Sequence, residues 1–160
     1  MASILLSGSI RPSVYHDYLY NQLQAYSALE SVVQLPPELE GVFRSSAIVE
    51  DIEELQSVYG LDPIEEPCIA VEEYVDHINE LAQNDDNDGL LAHLYVRHFG
   101  DMSGGQIIKD RVPGSGLYYE FDDPDQMKAD LRALLHDGMA PEAAICFGFV
   151  EQMFDELIGR

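Results

Sequence analysis

Apolar residues recur every three or four positions along almost the whole chain, and no stretch shows the strict alternation of a half-buried strand. That pattern restricts the fold to packed helices. Prolines and glycines mark the boundaries. Ser13, after Arg11-Pro12, is a predicted N-cap, and a helix is expected from there to Val33, before Pro36-Pro37. Further helices are expected from Glu38 to Tyr59 with Gly60 as C-cap, from Ala70 to Ala82, from Asp88 to Arg111, from Asp123 to His136 and from Pro141 to Ile158. The 160 residues suffice for one domain with a proper core. The expectation is a single all-α helical bundle over residues 1–160.

Charge narrows the partners. The chain carries 30 acidic and 8 basic residues, a formal net of -22. Nucleic acid and anionic membranes are repelled by such a surface. No apolar run approaches a membrane span, and the first residues make a poor signal peptide. Cys68 and Cys146 are the two cysteines, which fits a reducing compartment, and the cytoplasm is the expected location. Five of the eight cations fall between Arg97 and Arg132, a concentration that suggests an anionic ligand held there.

The segment Gly100-Asp101-Met102-Ser103-Gly104-Gly105-Gln106 lies inside a predicted helix. Each glycine should weaken that helix by about 1 kcal/mol relative to alanine. Gly100 and Gly104 share a face, so they can leave bare backbone against which something flat can lie, with Asp101 at its edge. Other chemistries fail on spacing. Asp85-Asp86-Asn87-Asp88-Gly89 lacks the bidentate glutamate of a calcium loop. Gly100 to Gly105 lacks the Gly-Lys-Ser/Thr of a phosphate loop. The five histidines form no zinc spacing with the cysteines. The stripe Phe147, Val150, Phe154 and Leu157 has the spacing of core residues.

The run from Leu90-Leu91-Ala92-His93-Leu94-Tyr95-Val96-Arg97-His98-Phe99 through Gly100 to Lys109 closely resembles the distal-helix signature of haem oxygenases. Gln24-Ala25-Tyr26-Ser27-Ala28-Leu29-Glu30, Val49 to Leu55, Tyr118-Tyr119-Glu120-Phe121, Met127 to Arg132 and Glu151 to Leu157 resemble other parts of that family in order. The resemblance implies oxidative cleavage of haem, both cofactor and substrate, to biliverdin, carbon monoxide and iron, with a ferredoxin or reductase as electron donor. It implies that Asp101 organises distal water, supported by Tyr26 and Arg97. It implies that Tyr95, Lys128 and Arg132 hold propionates, and that Gly100, Ser103, Gly104 and Phe147 lie against the haem. Lys128 and Arg132, four apart, also suit a two-pronged anion site on spacing alone.

The chain also departs from the family. The family's proximal histidine, its iron ligand, lies on a helix upstream of the position matching Tyr26. Only 25 residues precede Tyr26 here, and His16 falls on the second helix, where a lone histidine is expected at the bundle edge. The bundle is therefore expected to be N-terminally shortened, with no protein ligand assigned to a metal. Val150 stands where the family often has asparagine. His98 replaces a usual aromatic residue and could reach iron only from the distal face. Two alternatives follow: a haem- or bilin-binding protein without turnover, or a helical interaction module. In the latter an exposed apolar groove would pair with a second copy.

Overall fold

A helix apolar all round must be buried all round, and the expected glycine-bearing helix is such a case over its first half. The computed structural model describes residues 2–158. It places this helix, α5 (Asn87–Lys109), at the centre, with Leu90, Leu91, Ala92, His93, Leu94, Val96, Arg97 and His98 all buried. Around it stand α1 (Ala2–Leu6), α2 (Pro12–Val32), α3 (Ser45–Tyr59), α4 (Ile69–Gln83), α6 (Pro124–Arg132) and α7 (Ala140–Ile158). Three 3-10 turns join them at Pro37–Val42, Leu117–Tyr119 and Asp137–Met139. No strand occurs among the described residues. No helix among them is long and apolar enough to cross a membrane.

Local chemistry sets the ends. α2 begins with proline at its first position, where a missing N–H costs nothing, and Arg11 rather than Ser13 is its N-cap. Asp86 caps α5 by accepting from the Gly89 amide at 2.9 Å. A Cβ on Gly89 would lie 2.8 Å from that carboxylate, so the cap requires glycine there. Gly60 closes α3 in the left-handed region, φ 65°. α5 runs unbroken through Gly100, Gly104 and Gly105.

Two expected helices are shorter than their periodicity suggests. The stretch from Glu38 to Tyr59 divides into the first 3-10 turn and α3, with Phe43 and Arg44 between them. Arg44 explains the break. Its buried guanidinium donates to the carbonyls of Gly41, Val42 and Phe43, then across the molecule to Tyr118 at 3.2 Å and Glu120 at 2.8 Å. It also lies 4.1 Å over the Phe121 ring. Continuous α-helix would have consumed those local carbonyls. The helix expected to reach His136 ends at Arg132, where the Leu134 and Leu135 amides turn back to carbonyls three residues earlier.

α2 packs on α3 and α4, α5 on α7, and α4 on both α5 and α7. The core has two lobes. One gathers Tyr15, Tyr18, Tyr26, Ile48, Leu55, Tyr118 and Tyr119; the other gathers Leu29, Tyr74, Ile78, Leu90, Leu94 and Cys146. His16 is not exposed; it is screened from solvent on α2, 3.1 Å from the Gln56 side chain.

Two consequences are measurable. Arg44→Ala leaves several buried carbonyls without a donor and should cost about 3 kcal/mol or more in urea unfolding. His98 is fully buried between the Leu94 and Val42 carbonyls. Burial pulls its pKa down to about 4; the two carbonyls oppose this and Arg44 and Arg97 reinforce it. Unfolded His98 takes up a proton below about pH 6.5 while the folded ring stays neutral, so stability present above that pH is lost as it falls toward 4. Between about pH 7.5 and about pH 5 this residue should remove about 2 kcal/mol. His98→Phe should flatten that part of the pH dependence, read from urea midpoints.

Candidate functional site

Gly100 sits at the junction of two adjoining cavities. One, of about 500 Å3, is bordered by Ala92, Tyr95, Val96, Phe99, Arg132 and Met139; the other, of about 220 Å3, by Tyr18, Gln22, Arg97, Asp101, Val150 and Phe154. Val96, Gly100 and Phe147 border both. A Cβ added at Gly100 would meet nothing within 4 Å, so the bare backbone opens directly onto the groove. The floor is α5 and one wall is α7. The stripe on α7 that has core spacing turns out to face this groove: Phe147 is 58% exposed, Val150 and Phe154 line the smaller cavity, and only Leu157 is buried.

The inner end holds the polar side chains, which come from several elements. Asp101 Oδ2 accepts from the Tyr26 hydroxyl of α2 and from the Tyr118 hydroxyl of the second 3-10 turn, the latter at 2.7 Å. Burial pushes the Asp101 carboxyl up from its ordinary range, while the two tyrosines and the charges of Arg97 and Arg44 pull it back. Arg97 donates from Nη1 to Gln22 Oε1 at 3.1 Å and from Nε to Tyr74 Oη at 3.0 Å. Its guanidinium lies 4.2 Å from the Tyr74 ring centre. Gln22 in turn donates to the Tyr118 hydroxyl at 2.8 Å. Asp101 and Arg97 are thus two opposite charges on one helix, each held by neutral donors and acceptors from other helices. A carboxylate so placed can accept a proton-bearing group in the groove without moving.

The outer end is apolar with a cationic rim. Arg132 Nε lies 3.4 Å from Tyr95 Oη, and Lys128 and Arg132 stand 5.7 and 5.9 Å from the Phe99 ring centre. Lys128 also faces Asp125 at 3.8 Å. Arg132 and Tyr95 border the larger cavity; Lys128 is beside that cluster, outside the lining. Of the other cations between Arg97 and Arg132, Lys109 pairs with Glu120 and Arg111 donates to the Leu6 carbonyl.

The expected site residues therefore separate into groups. Asp101, Arg97, Gly100, Tyr95, Arg132 and Phe147 meet at the groove. Tyr26 stands behind Asp101, fully buried. Gly104 lies one turn on, outside both linings, where a Cβ would touch Ile108 of its own helix. Ser103 is exposed and also outside them. Both ring nitrogens of His98 face backbone carbonyls, those of Leu94 and Val42, and the ring borders neither cavity, so neither nitrogen is presented to an iron in the groove. His136 borders the larger cavity, but its nitrogens face Asp88 and the Gly138 amide. Gln22 and Tyr74 were not singled out by the sequence, and Tyr118 entered only within the Tyr118-Tyr119-Glu120-Phe121 resemblance, with no role assigned to it.

The chain that carries this groove matches a known family over nearly its whole length. The heme oxygenase family model matches residues 1–156. A heme oxygenase from Rhodella violacea is 30% identical, covering 95% of this chain and 76% of its own length, and heme oxygenase 1 from Nostoc sp. is 29% identical over 97% and 76%. Among solved structures, heme oxygenase from Leptospira interrogans superposes with a TM-score of 0.79 at 25% identity, covering 95% of this chain and 87% of that one. Heme oxygenase-1 from the cyanobacterium Synechocystis sp., solved in complex with heme, gives 0.77 at 26% identity, over 97% and 81%. On that breadth of agreement in sequence and fold, the chain belongs to the haem oxygenase family.

Proposed function

We propose that the α5–α7 groove binds haem and that the protein cleaves it oxidatively to biliverdin, carbon monoxide and iron, using dioxygen and electrons from an external ferredoxin or reductase. The observation that carries this reading is Asp101. It is a half-buried carboxylate at the groove wall, fixed by Tyr26 and Tyr118, next to the bare backbone of Gly100. The groove suits the ligand: it is mostly apolar, bounded by glycine where a flat ring must approach, and cationic at the rim where propionates would lie. Haem supplies the iron at which dioxygen is reduced. The chain supplies position and protons. Phe147 and Val96 exclude water along the groove. Arg132 and Tyr95, with Lys128 beside them, anchor the carboxylates of the ligand. Asp101 Oδ2 is saturated by two tyrosine hydroxyls, which leaves Oδ1 to order water toward the inner end. Arg97, held protonated by Tyr74 and Tyr26 despite its burial, keeps the neighbouring carboxyl acidic enough to pass a proton on.

A haem-binding protein without turnover is the second reading. It is favoured by Val150, which puts an aliphatic surface beside Asp101, and by the engaged ring nitrogens of His98 and His136. Cys68 and Cys146 form no disulfide, which fits a reducing compartment, and the cytoplasm is the proposed location.

Reconstitution with haemin and a reductant system separates them: biliverdin formation supports turnover, and a Soret shift with no biliverdin supports binding alone. If turnover occurs, Asp101→Asn should keep haem binding and lower the rate of biliverdin formation about 100-fold or more, the usual scale of a lost proton-transfer group. Gly100→Leu should stabilise the fold by roughly 0.5–1 kcal/mol through helix propensity. The same change should weaken haem binding by at least about tenfold, because the new side chain fills the junction of the two cavities. Unchanged haem affinity in that variant would remove the groove from the proposal.

A further inference from the structure

Beyond Arg97, on the side of α5 that faces α4 and α7, three more side chains converge. Nε2 of His77 on α4 lies 2.5 Å from Oε1 of Glu142 on α7, and Nε2 of His93 on α5 lies 3.2 Å from the same oxygen. The three ligand atoms all lie within 4.8 Å of one another. The two imidazoles pack at 5.4 Å between ring centres, and Phe149 covers His77 at 5.7 Å. His93 is fully buried, while the His77 and Glu142 side chains are 22% and 17% exposed, which leaves a path from solvent.

From this convergence we infer that His77, His93 and Glu142 form a binding site for a divalent first-row transition ion, zinc foremost, with at least one coordination position left to water. Two imidazoles and one carboxylate are a donor set such ions take and hard, oxygen-seeking Ca2+ and Mg2+ do not. Bonds of about 2.0–2.1 Å put neighbouring tetrahedral ligands about 3.4 Å apart. The two nitrogen–oxygen distances here, 2.5 and 3.2 Å, are shorter, so opening the His77–Glu142 contact by about 1 Å, at the partly exposed edge of the cluster, admits the ion. Each residue comes from a different helix, so the rigid bundle, and not a loop, holds the site.

The outer shell supports the assignment. Nδ1 of His93 is 3.0 Å from Tyr74 Oη, so the ring is oriented from its far side, as metal-bound histidines are. With an ion on Nε2, the His93 proton resides on Nδ1 and is donated to Tyr74. The Tyr74 hydroxyl can then turn toward Cys146 Sγ, 4.0 Å away, while still accepting from Arg97. The cluster thereby shares Tyr74 with the arginine that lines the groove. It is separate from the iron of a haem, and the inference does not rest on haem turnover.

The test is titration of the chelator-treated full chain with Co2+, followed by Zn2+ competition against a chromophoric chelator. A one-to-one complex with a d–d spectrum of nitrogen and oxygen ligation, displaced by Zn2+ and untouched by excess Mg2+, is expected. His77→Ala and Glu142→Gln should each weaken Zn2+ binding by at least about tenfold. His77 lies at the partly exposed end of the cluster, so its variant keeps the test decisive if the Glu142 variant fails to fold. Binding that Mg2+ displaces, or that survives His77→Ala unchanged, assigns the ion to the acidic surface and overturns the site. Absence of a stoichiometric Co2+ complex overturns it equally.

Discussion

A carboxylate cannot be drawn even halfway into a helical bundle without donors, and the bonds that satisfy Asp101 are also the bonds that assemble the groove. Tyr26 brings α2 to it and Tyr118 brings the turn between α5 and α6. That turn is fixed in its own right: Asp51 on α3 accepts the Leu117 and Tyr118 amides, and Arg44 donates to the Tyr118 and Glu120 carbonyls. The Asp101 carboxylate on α5 is thus positioned by residues of several other segments.

The second buried charge, Arg97, organises the other half. No acidic side chain among the described residues forms an ion pair with it; Gln22, Tyr74 and the Tyr26 ring solvate it instead. No hydrogen bond among the described residues joins the guanidinium to Asp101, and both cavities keep mostly apolar linings around the two charges. Through Tyr74 the same guanidinium is joined to His93 and so to the His77–Glu142 cluster. One arginine therefore links the groove to the neighbouring histidine cluster.

The three glycines in the second half of α5 also divide their work in a way spacing alone does not reveal. Gly100 opens onto the groove, Gly105 lies against Tyr119, and Gly104 faces neither. Equal cost to the helix hides unequal roles, because the role depends on which neighbour each face meets. The net charge of -22 places few free cations at the surface, and the Lys109, Arg111 and Lys128 cations already have partners. An electron donor with an acidic face would be repelled on approach.

The amino-acid sequence by itself determined the helical class, most helix boundaries, and the placement of Asp101, Arg97 and Gly100 on the helix that became the groove floor. These follow from i,i+3 and i,i+4 spacing and from capping, which act within one turn of chain. It could not show that helix 38–59 divides, since Arg44 takes its carbonyls only once Tyr118 and Glu120 lie beside it. Nor could it show that the Phe147 stripe faces a cavity, that both His98 nitrogens are occupied, or that Tyr118 holds Asp101. The meeting of His77, His93 and Glu142 was equally hidden, because the three lie on separate helices. Each of these facts is a distance between elements remote in sequence, and such distances are set by how whole helices cross and pack.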